Sequence, residues 1–255
     1  MGSRPKKKWG QNFLRNRGAV DQIVAAVDPQ PGEVILEIGP GEGVLTEKLV
    51  DLGVPVTAIE IDPELSARLS RKFGERLTIQ NVDAIDAPLP ETPFRAVGNL
   101  PYNVGTPILR RVISDPNCRR AVFMLQDEVV QRIVAKPNDE QYGYLTLYVA
   151  MFATGRIIAK LGPKSFYPPP KVHSAVVVLD PVAQPFTADR ETLADLISVS
   201  FRMRRKKLVN NLIDWHGLDR ARVDALLARA GIDPDVRAET LGLDSFDRIA
   251  RSLQG

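Results

Sequence analysis

Cysteine and histidine are nearly missing from this chain, which has one cysteine, Cys118, and two histidines, His173 and His216. A single thiol closes no internal disulfide and builds no thiolate metal site, so no metal is expected and a reducing, cytoplasmic setting follows. No apolar run approaches the ~20 residues that a membrane helix needs. The basic N-terminus continues into Trp9-Gly10-Gln11-Asn12, where a signal peptide would turn apolar. A soluble, untargeted protein with no membrane partner is expected. At 255 residues it has room for one large domain, or one with a small partner, and for a full hydrophobic core.

Acids are missing in two places. Residues 1–20 carry Arg4, Lys6, Lys7, Lys8, Arg15 and Arg17 with no Asp or Glu, and residues 141–179 carry Arg156, Lys160, Lys164 and Lys171, again with none. A third basic cluster is Arg202, Arg204, Arg205, Lys206 and Lys207. The net charge is only +3. Three basic clusters on a nearly neutral background fit a phosphate-binding face, and equally a set of solvated loops.

What is present is a run of short apolar segments separated by turn residues. Strands are expected at 34–38, 54–61, 77–82, 94–100, 120–126, 155–161 and 174–179, and helices over 44–52 and 62–73. Asp62-Pro63 marks the second helix start, with proline at the first helical position. Strands alternating with helices indicate an α/β, doubly wound, mostly parallel sheet. The last two strands have no helix between them, so an antiparallel, hairpin-like end is expected. Beyond Pro181–Pro185 only helical spacings remain. A domain over 1–185 and a small helical domain over 186–255 are expected.

The first strand runs into Glu37-Ile38-Gly39-Pro40-Gly41-Glu42-Gly43. Glycines in a strand-to-helix turn let a nucleotide approach the backbone. A dinucleotide fingerprint would put its third glycine at position 44, where Val44 stands. Glycines at 39, 41 and 43 behind an acid instead resemble the S-adenosylmethionine methyltransferases. Glu60 closes the second strand, where a carboxylate can accept ribose hydroxyls, and Asn81-Val82-Asp83-Ala84 closes the third.

The fourth strand ends Gly98-Asn99-Leu100-Pro101-Tyr102-Asn103. An adenine amino group delocalises its lone pair into the ring. It becomes nucleophilic when acceptors hold its hydrogens and draw it toward tetrahedral geometry. The Asn99 side-chain oxygen and the Leu100 carbonyl are suited to this. Pro101 fixes the chain direction, and Tyr102 offers a face for an extruded base. No strong general base is required, because the methylated nitrogen is cationic and sheds its proton.

Taken together, these segments resemble the ribosomal RNA adenine N6,N6-dimethyltransferases, the small-subunit branch in particular. The matching blocks are Gly10–Leu14, Glu37–Gly43, Glu60, Asp83, Asn99–Asn103, Phe166–Val172 and Arg204–Lys207 with Asn210-Asn211-Leu212, in order over nearly the whole chain. The resemblance implies a Rossmann-like sheet with a helical C-terminal domain. It implies S-adenosylmethionine held by Asn12, Leu14, Gly39, Gly41, Glu60, Ile61, Asp83, Ala84 and Asn99. Catalysis would lie with Asn99, Leu100, Pro101 and Tyr102. Tyr102 and Phe166 would sandwich the target base, and Arg204, Arg205, Lys206 and Lys207 would meet RNA. The implied partner is small-subunit rRNA within an immature small ribosomal subunit, and the enzyme would act as a monomer. Leu100 and Asn103 favour this branch over the related large-subunit methyltransferases. His173 stands where the family more often has an acid. A non-catalytic assembly factor is the alternative class, and the intact Asn99–Tyr102 motif argues against it.

Overall fold

The computed structural model describes residues 5–6 and 9–253. Of the basic stretch at 4–8, Arg4, Lys7 and Lys8 lie outside the described residues. The chain enters through a short strand, β1 (Phe13–Leu14), and a helix, α1 (Arg17–Val27). Asn16 caps α1 by accepting from the Ala19 N–H at 3.0 Å, and Ala19, Val20, Ile23, Val24 and Val27 bury one face. The sequence reading has no helix here, because the basic residues at 15 and 17 hide the apolar stripe behind them.

Next come β2 (Val34–Ile38), α2 (Thr46–Leu49), β3 (Val56–Ile59), α3 (Pro63–Phe73), β4 (Thr78–Gln80) and β5 (Phe94–Asn99). They are followed by α4 (Gly105–Ile113), β6 (Cys118–Gln126) and α5 (Asp127–Val134), then by β7 (Ala153–Leu161), β8 (Phe166–Tyr167) and β9 (Ser174–Pro181). Asp62 caps α3 through the Glu64 N–H, with Pro63 at the first turn, as expected. The helix expected over 44–52 is shorter, because Gly41 and Gly43 hold positive φ and the chain turns before it can wind.

The main sheet has seven strands in the order β4-β3-β2-β5-β6-β9-β7. β2 is parallel to β3 and β5, β3 to β4, and β5 to β6; β9 runs antiparallel to β6. The central strands are buried on both faces, which is why they read as near-continuous apolar runs. As expected, the last two long strands lie side by side at one end of the sheet with no α-helix between them, β9 running antiparallel to β6 and β7 lying outside it. A separate two-stranded ribbon pairs β1 with β8, setting Phe13 opposite Tyr167 and Leu14 opposite Phe166.

From β2 the chain winds outward through β3 and β4, then returns to β5 on the other side of β2. The order therefore reverses between β2 and β5. In open α/β sheets, ligands bind beyond the carboxyl ends of the strands at such a reversal.

The chain groups into two compact units. The first takes the described residues up to Val130 together with Gly155–Pro181; the second takes Gln131–Thr154 and the described residues from Val182 onward. The division thus does not follow a single cut at 185, since 131–154 groups with the C-terminal helices. One tie behind this grouping comes from Tyr142, just ahead of helix α6 (Tyr144–Ala150), which donates its hydroxyl to the Leu241 carbonyl at 2.7 Å. The other helices of this unit are α7 (Arg190–Ser200), α8 (Leu208–Leu212), α9 (Arg220–Ala230) and α10 (Leu243–Arg251). Leu193, Leu196, Ile197, Leu208, Leu212, Val223, Leu227 and Phe246 form its buried interior. Among the described residues no helix is long and apolar enough to cross a membrane.

Candidate active site

A cavity of about 610 Å³ opens at the carboxyl ends of β2, β3, β4 and β5. The glycine loop after β2 forms its floor. Gly39 and Gly41 hold φ of +67° and +60°, and a Cβ on Gly41 would stand 3.1 Å from the Phe13 ring. Gly98, in β5, lets that strand approach β2 closely; a Cβ there would collide with the Ile38 carbonyl at 2.4 Å. Small residues are therefore required for the loop, β1 and β5 to meet around one space.

Glu60 follows β3 and is 4% exposed. Its carboxylate accepts from the Gly41 N–H at 3.1 Å and the Asp62 N–H at 2.9 Å. Burial raises its pKa, and the backbone donors pull it back part of the way. Each oxygen keeps a second lone-pair direction for a ligand hydroxyl. Asn81 ties β4 to this corner by donating to the Glu60 carbonyl at 2.7 Å. Asp83 accepts from the Ile85 N–H at 2.9 Å, and Arg111 holds the same loop through the Ala84 and Ala87 carbonyls.

Glu37, one residue before the end of β2, is 1% exposed and also lines the cavity. One carboxylate oxygen accepts from the Thr46 hydroxyl at 2.7 Å, and the other has no partner among the described residues. Burial pushes its pKa up to about 7, against the Thr46 hydrogen bond that lowers it.

Asn99 ends β5. Its side-chain nitrogen donates to the Asn12 carbonyl at 2.8 Å. A carbonyl can only accept, so the bond fixes the amide's orientation and leaves the Asn99 oxygen as a directed acceptor. Leu100 is buried and its N–H is held by the Met124 carbonyl at 3.1 Å; the Pro101 carbonyl accepts from Val104. Tyr102 is half-buried, and its hydroxyl meets the Ser174 hydroxyl at 2.7 Å.

The N-terminal segment lies along the same cavity. Lys6 reaches Asp62 at 2.9 Å and Glu64 at 2.8 Å, and the Gln11 amide donates to Asp62 at 3.2 Å. Burial pushes the Asp62 pKa up, but Lys6 and Gln11 outweigh it and hold the carboxyl below its ordinary value. The Asp62 backbone N–H is itself a Glu60 donor, so the tie on the N-terminal segment and the buried acceptor share one residue.

Asn12, Leu14, Gly39, Gly41, Glu60, Ile61, Asp83, Ala84, Asn99, Leu100, Pro101 and Tyr102 all line this cavity. Phe166 does not. It is 4% exposed and packs in the core with Leu14, its partner across the ribbon, while the next residue, Tyr167, faces out at 55% exposure. Alternation along β8 decides which aromatic is buried. Arg204–Lys207 belong to the second unit. They precede α8 in a turn, with Lys207 at the N-cap. Asn211 pins this turn through both the N–H and the carbonyl of Met203.

Sequence reasoning gave no site role to Ser174, Asp62 or Gln11, although Gln11 stands in the Gly10–Leu14 block, Asp62 at the expected helix start and Ser174 at the start of the last expected strand.

The family model for ribosomal RNA adenine dimethylases matches residues 2–255. The chain belongs to this family. It is 45% identical over 251 residues to the ribosomal RNA small subunit methyltransferase A of Laribacter hongkongensis, covering 95% of this chain and 93% of that one. The protein of the same name from Syntrophotalea carbinolica is 39% identical over 261 residues, covering 100% and 98%. Among solved structures, a dimethyladenosine transferase from Plasmodium falciparum superposes with a TM-score of 0.84 at 26% identity, covering 95% of this chain and 97% of that one. The 23S rRNA methyltransferase ErmE matches with a TM-score of 0.73 at 27% identity, covering 96% and 100%. Family membership makes the chain an S-adenosylmethionine-dependent rRNA adenine dimethyltransferase on a Rossmann-like sheet. The residues at the cavity fit that cofactor. The buried Glu60 can accept ribose hydroxyls, the positive-φ glycine loop gives close backbone approach, and the unsatisfied Glu37 oxygen can accept from a cationic amine.

Proposed function

We propose that the protein dimethylates the N6 amino groups of two adjacent adenines in a hairpin loop near the 3′ end of small-subunit rRNA, within an immature small subunit. It does so as a cytoplasmic monomer. The observation that carries this reading is the Asn99 amide, locked by the Asn12 carbonyl so that its oxygen is presented as an acceptor at the cavity. The small-subunit target is supported by relatives that bear that name over nearly their whole length.

S-Adenosylmethionine, when bound, supplies an electrophilic methyl group. The chain's own residues then have three tasks. Glu60, Asp83, Asn12 and the glycine loop hold the donor. Tyr102 offers its ring to the extruded base, since the amino group cannot be reached inside a duplex. The Asn99 oxygen and the Leu100 carbonyl accept the amino hydrogens and draw the nitrogen lone pair out of conjugation. The proton released afterwards needs no dedicated base. After one transfer, the monomethylated amine still has one hydrogen for the same acceptors, so a second round is available to the same geometry.

The test is incubation of purified protein with labelled S-adenosylmethionine and unmethylated small subunits, with modified positions read by primer extension. Label on two adjacent adenines near the 3′ end of the small-subunit rRNA is expected. Label elsewhere on the small-subunit rRNA, or on no RNA, would overturn the target assignment.

A further inference from the structure

Tyr102 stands in the loop after β5, and its hydroxyl is tied to a second strand. Its oxygen lies 2.7 Å from the Ser174 hydroxyl. Ser174 has no solvent exposure and is the first residue of β9, paired with Gln126 of β6. The anchor is therefore rigid and buried, and the residue it holds is half-buried at the cavity mouth. We infer that Ser174 is a positioning residue for methyl transfer, setting the plane of Tyr102 on which the target adenine stacks. The inference rests on the reading that Tyr102 receives the base.

The chemistry of the pair supports this. Stacking requires a flat ring at a fixed tilt, and a tyrosine free to change rotamer would pay the ordering cost each time a base arrived. Either hydroxyl can donate and either can accept, so the pair satisfies both groups without a charge. Burial pushes the Tyr102 pKa up, which keeps the phenol protonated and able to donate. A buried serine hydroxyl that loses this partner is left unsatisfied, which gives the bond a one-sided value. The link also joins the loop after β5 to the end of the Phe166–His173 segment, 72 residues apart in sequence.

The test is a kinetic cycle on unmethylated small subunits with Ser174→Ala, Tyr102→Phe, the double variant and Tyr102→Ala. Ser174→Ala and Tyr102→Phe are each expected to lower kcat/KM for the subunit by about three- to tenfold, the worth of one neutral hydrogen bond. The double variant is expected to fall no further than the worse single one, since both remove the same bond. Affinity for S-adenosylmethionine, measured by calorimetry, is expected to stay within about twofold. Ser174→Thr, which keeps the hydroxyl, is expected to recover part of the lost rate. Additive losses, or wild-type kinetics in Tyr102→Phe, would overturn the inference. If Ser174→Ala does not fold, Tyr102→Phe alone decides by the same criterion. Wild-type kinetics in Tyr102→Ala would instead overturn the stacking role itself.

Discussion

Two buried glutamates at the cavity carry opposite consequences for binding and for stability. Glu60 accepts two backbone N–H groups and has lone pairs left for ligand hydroxyls. Glu60→Ala is expected to weaken S-adenosylmethionine binding by about 1.5–3 kcal/mol, the range for charge-assisted hydrogen bonds. Calorimetry showing unchanged affinity would remove Glu60 from the site. Glu37 is buried with one unsatisfied oxygen and a pKa raised to about 7. The unfolded chain ionises this group near the ordinary carboxylate value of 4.5. Between there and about pH 7 the folded state binds the extra proton, so the group's contribution to stability falls as pH rises and then levels off. The fall is on the order of 3 kcal/mol. Glu37→Gln keeps an acceptor for Thr46 and removes the titration. The difference in denaturant stability between wild type and this variant is expected to grow from pH 4.5 to 7 in the variant's favour. A difference independent of pH would mean that Glu37 ionises freely in the fold. At this scale the sequence was legible where a residue ends a strand, as Glu60, Asp83 and Asn99 do, because strand ends meet at one edge. It was silent on Ser174 and on the Lys6–Asp62 tie, whose partners lie 72 and 56 residues away and are joined only by the folded sheet.

Two elements change what the sequence reading proposed for RNA contact. The β1–β8 ribbon turns Phe166 inward and Tyr167 outward. Phe166→Leu is therefore expected to keep methylation near wild type, whereas Phe166→Ala lowers thermal stability by about 3–5 kcal/mol, as for other buried aromatic truncations. Lost methylation with intact stability in Phe166→Leu would return Phe166 to the substrate site. The basic turn before α8 also divides. Arg204 is tied to Glu239 at 3.0 Å and to the Asp139 carbonyl, and Lys207 to Asp235 at 2.7 Å. Arg205 and Lys206 are exposed on the turn that Asn211 holds. Arg205→Glu with Lys206→Glu is expected to weaken subunit binding and flatten its dependence on salt, leaving cofactor affinity intact. An unchanged salt slope would make these charges a solvated face. The parallel strands were legible because burial on both faces leaves unbroken apolar runs. The turn was not legible, because helical spacing begins only at Leu208 and a row of cations before it carries no period.

For the whole molecule, strand order places the chemistry. The reversal between β2 and β5 brings the glycine loop and Asn99 to one opening, and β1 closes on it from the N-terminus. The α/β class was legible from alternating elements. The grouping of 131–154 with the C-terminal helices was not, since it depends on contacts such as Tyr142 with Leu241, 99 residues apart. The account's central claim is that Asn99 acts on the amine while the rest of the cavity holds the donor. It is tested most directly by single-turnover methyl transfer with Asn99→Ala at saturating S-adenosylmethionine, alongside a cofactor titration of the same variant. The rate is expected to fall by about 2.7–4 kcal/mol of activation free energy, by analogy with removal of an oxyanion-hole donor. Cofactor affinity is expected to change far less. Near-normal turnover in Asn99→Ala would contradict the account.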